Sequence, residues 1–287
     1  MFRCRSWIAA AILLAPLSAP VDAAAQAALP PLAIATEGAF APWSATDAAG
    51  QLYGFEVDLA KELCRRMLSE CRVIAQEWDG ILAGLQQQHY DAVMAGVAIT
   101  PERAQVVTFS LPYAVDPAAL AARINSPASD AFAGLDRITR IELQQQSEPA
   151  TQALSAMATL LRGKRVAVQT STVHARLVES QFPGALVQTY ERLDQAALDL
   201  TAGRVDYLLT ARSVIDVVGR AAGGAIVPVG PMISGGPLGT GVGVVVRKDA
   251  GELVARFNAA IEGAVADGSI SAISSKWFGF DIAPPRR

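Results

Sequence analysis

Two hydrophobic periods alternate through the first third of the chain. Leu32-Ala33-Ile34-Ala35 is a short apolar run and predicts a buried strand. From Gly54 the sequence GFEVDLAKELCRRM spaces Phe55, Leu59, Leu63 and Met67 four residues apart, one face of an amphipathic helix laid on a sheet. Val73-Ile74-Ala75 predicts a second strand. Trp78-Asp79-Gly80 turns into a helix carrying Ile81, Leu82 and Leu85, and Ala92 to Ala95 is a third apolar run. Strand, helix, strand, helix, strand is the order of an α/β unit with a parallel sheet.

The stretch after the third run carries candidate chemistry. Gly96 and Ala98 are small and leave room against the backbone, and Thr100-Pro101-Glu102-Arg103 reads as a helix start with a hydroxyl N-cap and proline in the first turn. A helix N-terminus offers free N–H donors and partial positive charge, and Arg103 adds a guanidinium fork beside them. Together they suit a carboxylate. The simpler reading pairs Arg103 with Glu102 or another surface acid, and this stretch alone does not separate the two.

Composition narrows the setting. Arg3 and Arg5, the apolar run from Ile8 to Leu17 and the small residues around Ala23, Ala25 and Ala27 read as a secretory signal over residues 1–27. Cleavage is expected after Ala27, with Ala23 and Ala25 as alternatives. Cys4 precedes the apolar run, the wrong place for lipid attachment. Removing Arg3, Arg5 and Asp22 from 24 basic and 27 acidic residues leaves 22 against 26. A mildly acidic chain without a Lys/Arg cluster argues against nucleic acid and anionic membranes as partners. Two cysteines remain, Cys64 and Cys71. In an oxidising compartment a pair this close reads as a local disulfide. Two thiols without a nearby histidine do not complete a metal site, and there is no C-x-x-C. No metal or other cofactor is expected.

GFEVDLAKELCRRM resembles the signature of the family 3 periplasmic solute-binding proteins, the receptors for polar amino acids and opines that serve ABC importers. IATEGAFAPW, WDGILAGL, DAVMAGVAITPERAQVVTFSLPY, GKRVAVQTST and the final KWFGFD extend the resemblance over nearly the whole mature chain. The cysteine spacing is similar to the disulfide of members that bind lysine, arginine, ornithine and histidine, and WDGI is similar to opine-binding members. The resemblance implies an α/β, two-lobed periplasmic binding protein fold (type II), with two crossover strands as hinge and the ligand between the lobes. Lobe 1 would take residues 28–114 and 236–287, and lobe 2 residues 115–235.

On that frame the first crossover lies near Tyr113 to Asp116. Lobe 2 begins at Ala118 to Ala122 and continues with a strand at Val166 to Val168 and a cap cluster at Thr170-Ser171-Thr172. A strand from Val205 to Leu209 follows, with Thr210 as cap and a helix from Ala211. The chain returns through Gly230 to Gly241 into a strand at Val242 to Val246 and a helix carrying Leu253, Phe257 and Ile261. Residues 126–160 are longer than the resemblance leads one to expect. They contain a polar QQQSEP break and a helix-like run, and surface decoration is the simpler expectation over a docking surface.

The resemblance also implies a site. Arg103 matches the arginine that holds the ligand carboxylate, and Phe40 and Trp78 match the aromatic pair that sandwiches the side chain. Either ring taken alone reads as core. Glu37 matches an acid used for cationic side chains, or is a solvated loop acid. Ser171 and Thr172 match polar contacts at a lobe 2 helix start, Thr172 serving otherwise as a plain N-cap. His174, one turn inside that helix, matches a polar lining position or is an exposed helix residue. The departures matter equally. Ala95, Gly96 and Ala98 stand where amino-acid binders place serines, and Ala211 stands where they place the aspartate that pairs with the α-ammonium. Asp216 is too far along the helix to replace it. A buried ammonium without a partner costs several kcal/mol, so the expected ligand is a carboxylate whose amine is substituted or absent.

Three classes of function fit these residues: a monomeric periplasmic receptor delivering its ligand to an inner-membrane ABC permease, a cyclohexadienyl dehydratase-like enzyme of the same fold, and a subunit that presents ligand to a chemoreceptor or sensor kinase. The enzyme would need Glu37 or His174 as a general acid. GTGVGVV at Gly239 precedes a strand, the wrong order for a dinucleotide loop.

Overall fold

The computed structural model describes Met1 and residues 31–135, 138–145 and 147–286. The export-signal reading falls on residues outside that range. The chain opens with β1 (Leu32–Thr36), a small antiparallel ribbon of β2 (Ala39–Phe40), β3 (Ser44–Thr46) and β4 (Leu52–Tyr53), and helix α1 (Phe55–Arg66). It continues through β5 (Cys71–Ala75), α2 (Ile81–Gln86), β6 (Ala92–Val93), α3 (Pro101–Val106) and β7 (Thr108–Ala114). The α1 face repeats as expected from its period: Phe55, Leu59 and Leu63 are fully buried. Phe55 packs against Trp43 and Phe278 with ring centroids 5.4 and 5.0 Å apart.

After Ala114 the chain crosses to a second layer. This contains β8 (Ala118–Arg123), α4 (Pro127–Asp130), β9 (Arg140–Glu142), α5 (Glu148–Leu161), β10 (Arg165–Gln169), α6 (Val173–Gln181), β11 (Leu186–Tyr190), α7 (Leu193–Thr201), β12 (Tyr207–Ala211), α8 (Arg212–Ala221) and β13 (Ile226–Ser234). Residues 235–241 lead back to β14 (Val242–Val246), α9 (Gly251–Ala266) and α10 (Ser269–Phe278). Five strands form one sheet in the order β5-β1-β6-β14-β7, and six form the other in the order β11-β10-β12-β8-β13-β9. Within each sheet the strands that precede helices pair in parallel, β1 with β5 and β6, β10 with β11 and β12. The fold is therefore two α/β lobes joined by two crossings, and the carboxyl ends of both parallel sets face the crevice where open α/β sheets bind ligands.

Several local expectations are corrected. The third apolar run yields a strand of only Ala92–Val93, and the chain turns away by Gly96, which takes a left-handed φ of 63°. The strand expected to stop at Leu209 runs on to Ala211, since β8 pairs with it as far as Ala211↔Ala118. Ala211 rather than Thr210 then caps α8, with no side-chain bond. The extra segment is not a decoration. β9 adds a parallel edge strand to β13, and α5, capped by Ser147 with Pro149 in its first turn, buries Ala150, Ala153, Met157 and Leu161 in the lobe 2 core. Its apolar face needed a partner, and the sheet edge supplied one.

Cys64 and Cys71 form a disulfide that closes the end of α1 onto the start of β5. Protein folded in an oxidising compartment should show neither thiol to an alkylating reagent after denaturation without reductant. Replacing both by serine should cost about 2 kcal/mol by urea unfolding, the chain-entropy value for so short a loop.

Candidate functional site

The crevice is built from loops that leave strand ends. Glu37 follows β1, Phe40 lies in β2, and Trp78 precedes α2. Ala95, Gly96 and Ala98 leave β6 toward α3, which carries Arg103. From the other lobe, Gln169 ends β10, Thr172 caps α6 and His174 is the second residue of that helix. His174 is thus in the first turn rather than one turn inside. A narrow pocket is lined by Glu37, Phe40, Trp78, Ala95, Arg103 and Thr172, with Gly96, Gln169, Val173 and His174 also on its wall. Phe40, Gly96, Val173 and His174 also line a neighbouring chamber of about 390 Å³ that reaches Ala98, Asp116, Glu142 and Ala211. Ser171 does not join either wall. Its side chain is exposed, its φ is left-handed at 58°, and it contributes only its carbonyl.

Arg103 reaches into this space with a guanidinium held by carbonyls and a ring. Nη1 donates to Ala98 O at 3.1 Å, Nη2 to Ser171 O at 3.4 Å, and Cζ lies 5.4 Å from the Trp78 centroid. Among the described residues it forms no ion pair. Glu102, its alternative partner from sequence, meets Arg176 of the facing lobe at 3.6 Å. Burial, and then the charge of Arg176, lower the Arg103 pKa to about 10. A partly buried cation without an ion pair among the described residues is suited to bind an anion.

Glu37 is the acid that shares this pocket wall with Phe40 and Trp78. It is buried, accepts from Gln169 Nε2 at 2.8 Å, and burial pushes its pKa up to about 7. The solvated-loop reading of Glu37 is therefore corrected: β1 delivers it below the surface. Thr172 is fully engaged as a cap, donating to Gln169 O at 2.7 Å and accepting from Ala175 N–H at 3.3 Å. His174 is half-buried, and burial, helped by the Arg103 charge, lowers its pKa to about 4, so its ring is neutral at pH 7.

Other residues were not singled out from sequence. Glu56, second in α1, is buried; Oε1 accepts from Gly96 N–H at 2.7 Å and from the Tyr113 hydroxyl. Burial pushes its pKa up to about 7. Asp116, in the first crossing, accepts from Ser213 N–H at 3.3 Å and lines the chamber beside Ala211, with burial raising its pKa to about 6. Glu142 enters from the extra segment. The wall around Ala211 is therefore not without acids, contrary to what the missing aspartate suggests. Asp116 was hidden because a crossing residue has no helical or strand period to mark its facing.

The lobes meet through few bonds. Trp43 Nε1 donates to Ser213 Oγ at 2.8 Å, Trp78 Nε1 to Thr170 O at 3.1 Å, and Gln169 to Glu37 as above.

The pKa shifts fix a pH dependence. Glu37 and Glu56 have folded values raised above the ordinary 4.5, so the stability they confer is complete below pH 4.5 and lost as pH rises through about 7. His174 is shifted down, so its contribution is complete above pH 6.5 and lost as pH falls through about 4. Above pH 6.5 the carboxyl groups alone set the slope. Urea unfolding should show a loss of about 1.5 kcal/mol between pH 6.5 and 8, and Glu56→Gln with Glu37→Gln should largely flatten it.

Residues 32–280 match the model of the bacterial extracellular solute-binding proteins, family 3. The octopine-binding periplasmic protein of Rhizobium meliloti is 33% identical over 273 residues, covering 88% of this chain and 92% of the relative. The L-arginine-binding protein of Pseudomonas aeruginosa is 31% identical, covering 95% of each. Among solved structures, a periplasmic His/Glu/Gln/Arg/opine family-binding protein from Silicibacter pomeroyi in complex with lysine is 28% identical with a TM-score of 0.69, covering 88% of this chain and all of that one. With two α/β lobes, a crevice between them and a match over most of its length, the chain belongs to the bacterial extracellular solute-binding proteins, family 3.

Proposed function

We propose that this chain is the periplasmic substrate-binding protein of an ABC importer and captures a small carboxylate-bearing ligand, an opine or a modified or polar amino acid, by closure of two lobes. Lobe 1 comprises residues 28–114 and 236–287, and lobe 2 residues 115–235. The observation that carries the reading is Arg103: a partly buried guanidinium with two carbonyls and a ring around it, and no ion pair among the described residues. Phe40 and Trp78 flank the ligand stem, and Glu37 meets a cationic end. Small residues at 95, 96 and 98 leave room for a substituted amine. The working form is a monomer, exported by its N-terminal segment and unloading at an inner-membrane permease. The octopine- and arginine-binding relatives support the ligand class.

One observation favours a second reading. Glu37, with a pKa near 7 inside the crevice, has the character of a general acid, as a dehydratase-like enzyme would need. Turnover of a prephenate-like acid by the purified protein would establish that reading, and tight binding without turnover the receptor.

Calorimetric titration with L-arginine and octopine tests the site. Arg103→Ala should weaken whichever binds by about 100-fold or more, because a buried charge pair loses on the order of 3 kcal/mol when one partner goes. Binding that survives this change would refute the assigned carboxylate position.

Closure has its own test. Two lobes joined by two crossings and held shut by few bonds should open without ligand. Small-angle scattering should show the radius of gyration falling at saturating ligand, and an unchanged radius would point to a fixed crevice.

A further inference from the structure

The extra segment supplies part of the chamber wall. β9 lies parallel to the end of β13 with Ile233↔Ile141 and Ser234↔Glu142 in register, and Leu143 N–H donates to Ser234 O at 2.9 Å. Ile141 is fully buried, and its neighbour Glu142, on the opposite face of the strand, lines the chamber with Gln144 and Gln145. The Gln144 amide, oriented by its partners, donates to Glu142 Oε1 at 2.6 Å and accepts from Gly236 N–H at 2.8 Å. Gly235, at a left-handed φ of 76°, admits this contact. A Cβ there would lie 1.7 Å from the Gln144 amide and 2.1 Å from Glu142 Oε1. The segment is thus fitted onto the return crossing, and Gln144 sets the direction of the Glu142 carboxylate.

The charge of the chamber is one-sided. Asp116 and Glu142 line it, and no lysine or arginine does so among the described residues. Arg212 and Arg140 act on Asp116 from behind the wall, whereas Glu142 forms no ion pair among the described residues. Asp116 Oδ2 and Ser234 Oγ, both on lining residues, are closed off from solvent without a hydrogen-bond partner. A second carboxylate placed here would face like charge in a poorly solvated space. A cation would be drawn in.

We propose that Glu142, oriented by Gln144, forms a subsite for an ammonium-bearing branch carried on the substituted amine of the ligand. The ligand class is then an aminoacyl-type conjugate of a basic amino acid, with its carboxylate at Arg103, its basic end at Glu37 and its second cation in the chamber. This rests on the receptor reading of the same crevice, and it separates that class from opines, whose branch ends in a carboxylate.

Glycyl-L-arginine and octopine share the arginine frame and differ in a branch that ends in an ammonium or a carboxylate. Calorimetry on the full protein should show glycyl-L-arginine binding at least tenfold tighter than octopine. Glu142→Gln should shrink that ratio, and Glu142→Lys should invert it, a total change of about 100-fold, with melting curves confirming that each variant is folded. A wild-type preference for octopine overturns the subsite, as does a ratio that stays within twofold in both variants. If both probes lose binding in Arg103→Ala while the Glu142 variants change nothing, the receptor stands and the subsite falls. Failure of both probes and of L-arginine to bind the unaltered protein overturns the two together.

Discussion

One buried carboxyl group joins the parts that the crevice needs. Glu56 sits in the first turn of α1, and its Oε1 accepts from Gly96 N–H and from the Tyr113 hydroxyl. Helix, crevice floor and the strand that enters the first crossing are thereby tied to a single atom. Burial raises its pKa to about 7, because only one of its two oxygens is compensated. Breaking a buried network of this kind by removing one member costs several kcal/mol. Gly96 takes a positive φ that other residues rarely adopt, and a Cβ there would sit 3.3 Å from the Phe40 ring.

Around that anchor the crevice collects charges that are not paired with one another. Arg103 is partly buried and held by carbonyls, while Glu37 is buried and accepts from the Gln169 amide. Neither forms an ion pair among the described residues, which favours a ligand that brings its own carboxylate to Arg103. Among the described residues one ion pair spans the mouth, Glu102 with Arg176, and it is exposed and worth little. Closure must therefore draw its energy from the ligand, which suits a protein that has to release it.

The crossings are more than tethers. Trp43 of the first lobe donates to Ser213 of the second, and Ser213 N–H donates to Asp116 in the first crossing. The second crossing is gripped by the extra segment through Leu143, Gln144 and Gly235. Both crossings thus carry side chains of the chamber wall.

Much of this was written in local pattern. The four-residue spacing of Phe55, Leu59 and Leu63 dictates α1, and the Thr100 and Thr172 hydroxyls dictate where α3 and α6 begin, since a cap needs only its own next turn. The cysteine spacing and the motifs carrying Glu37, Phe40, Trp78 and Arg103 were legible for the same reason: each lies beside a strand end whose position the chain itself sets. Tertiary structure decided the rest. Whether Glu37 is solvated or buried, whether Arg103 pairs with Glu102, and how far β12 runs all depend on groups more than fifty residues away. The acids that line the chamber with Ala211 arrive from a crossing and from an edge strand of three residues, too short for its alternation to be read in sequence. Glu56 looked like one more polar residue in an amphipathic helix. Only the sheet, by bringing Gly96 and Tyr113 to the same oxygen, made it the centre of the lobe.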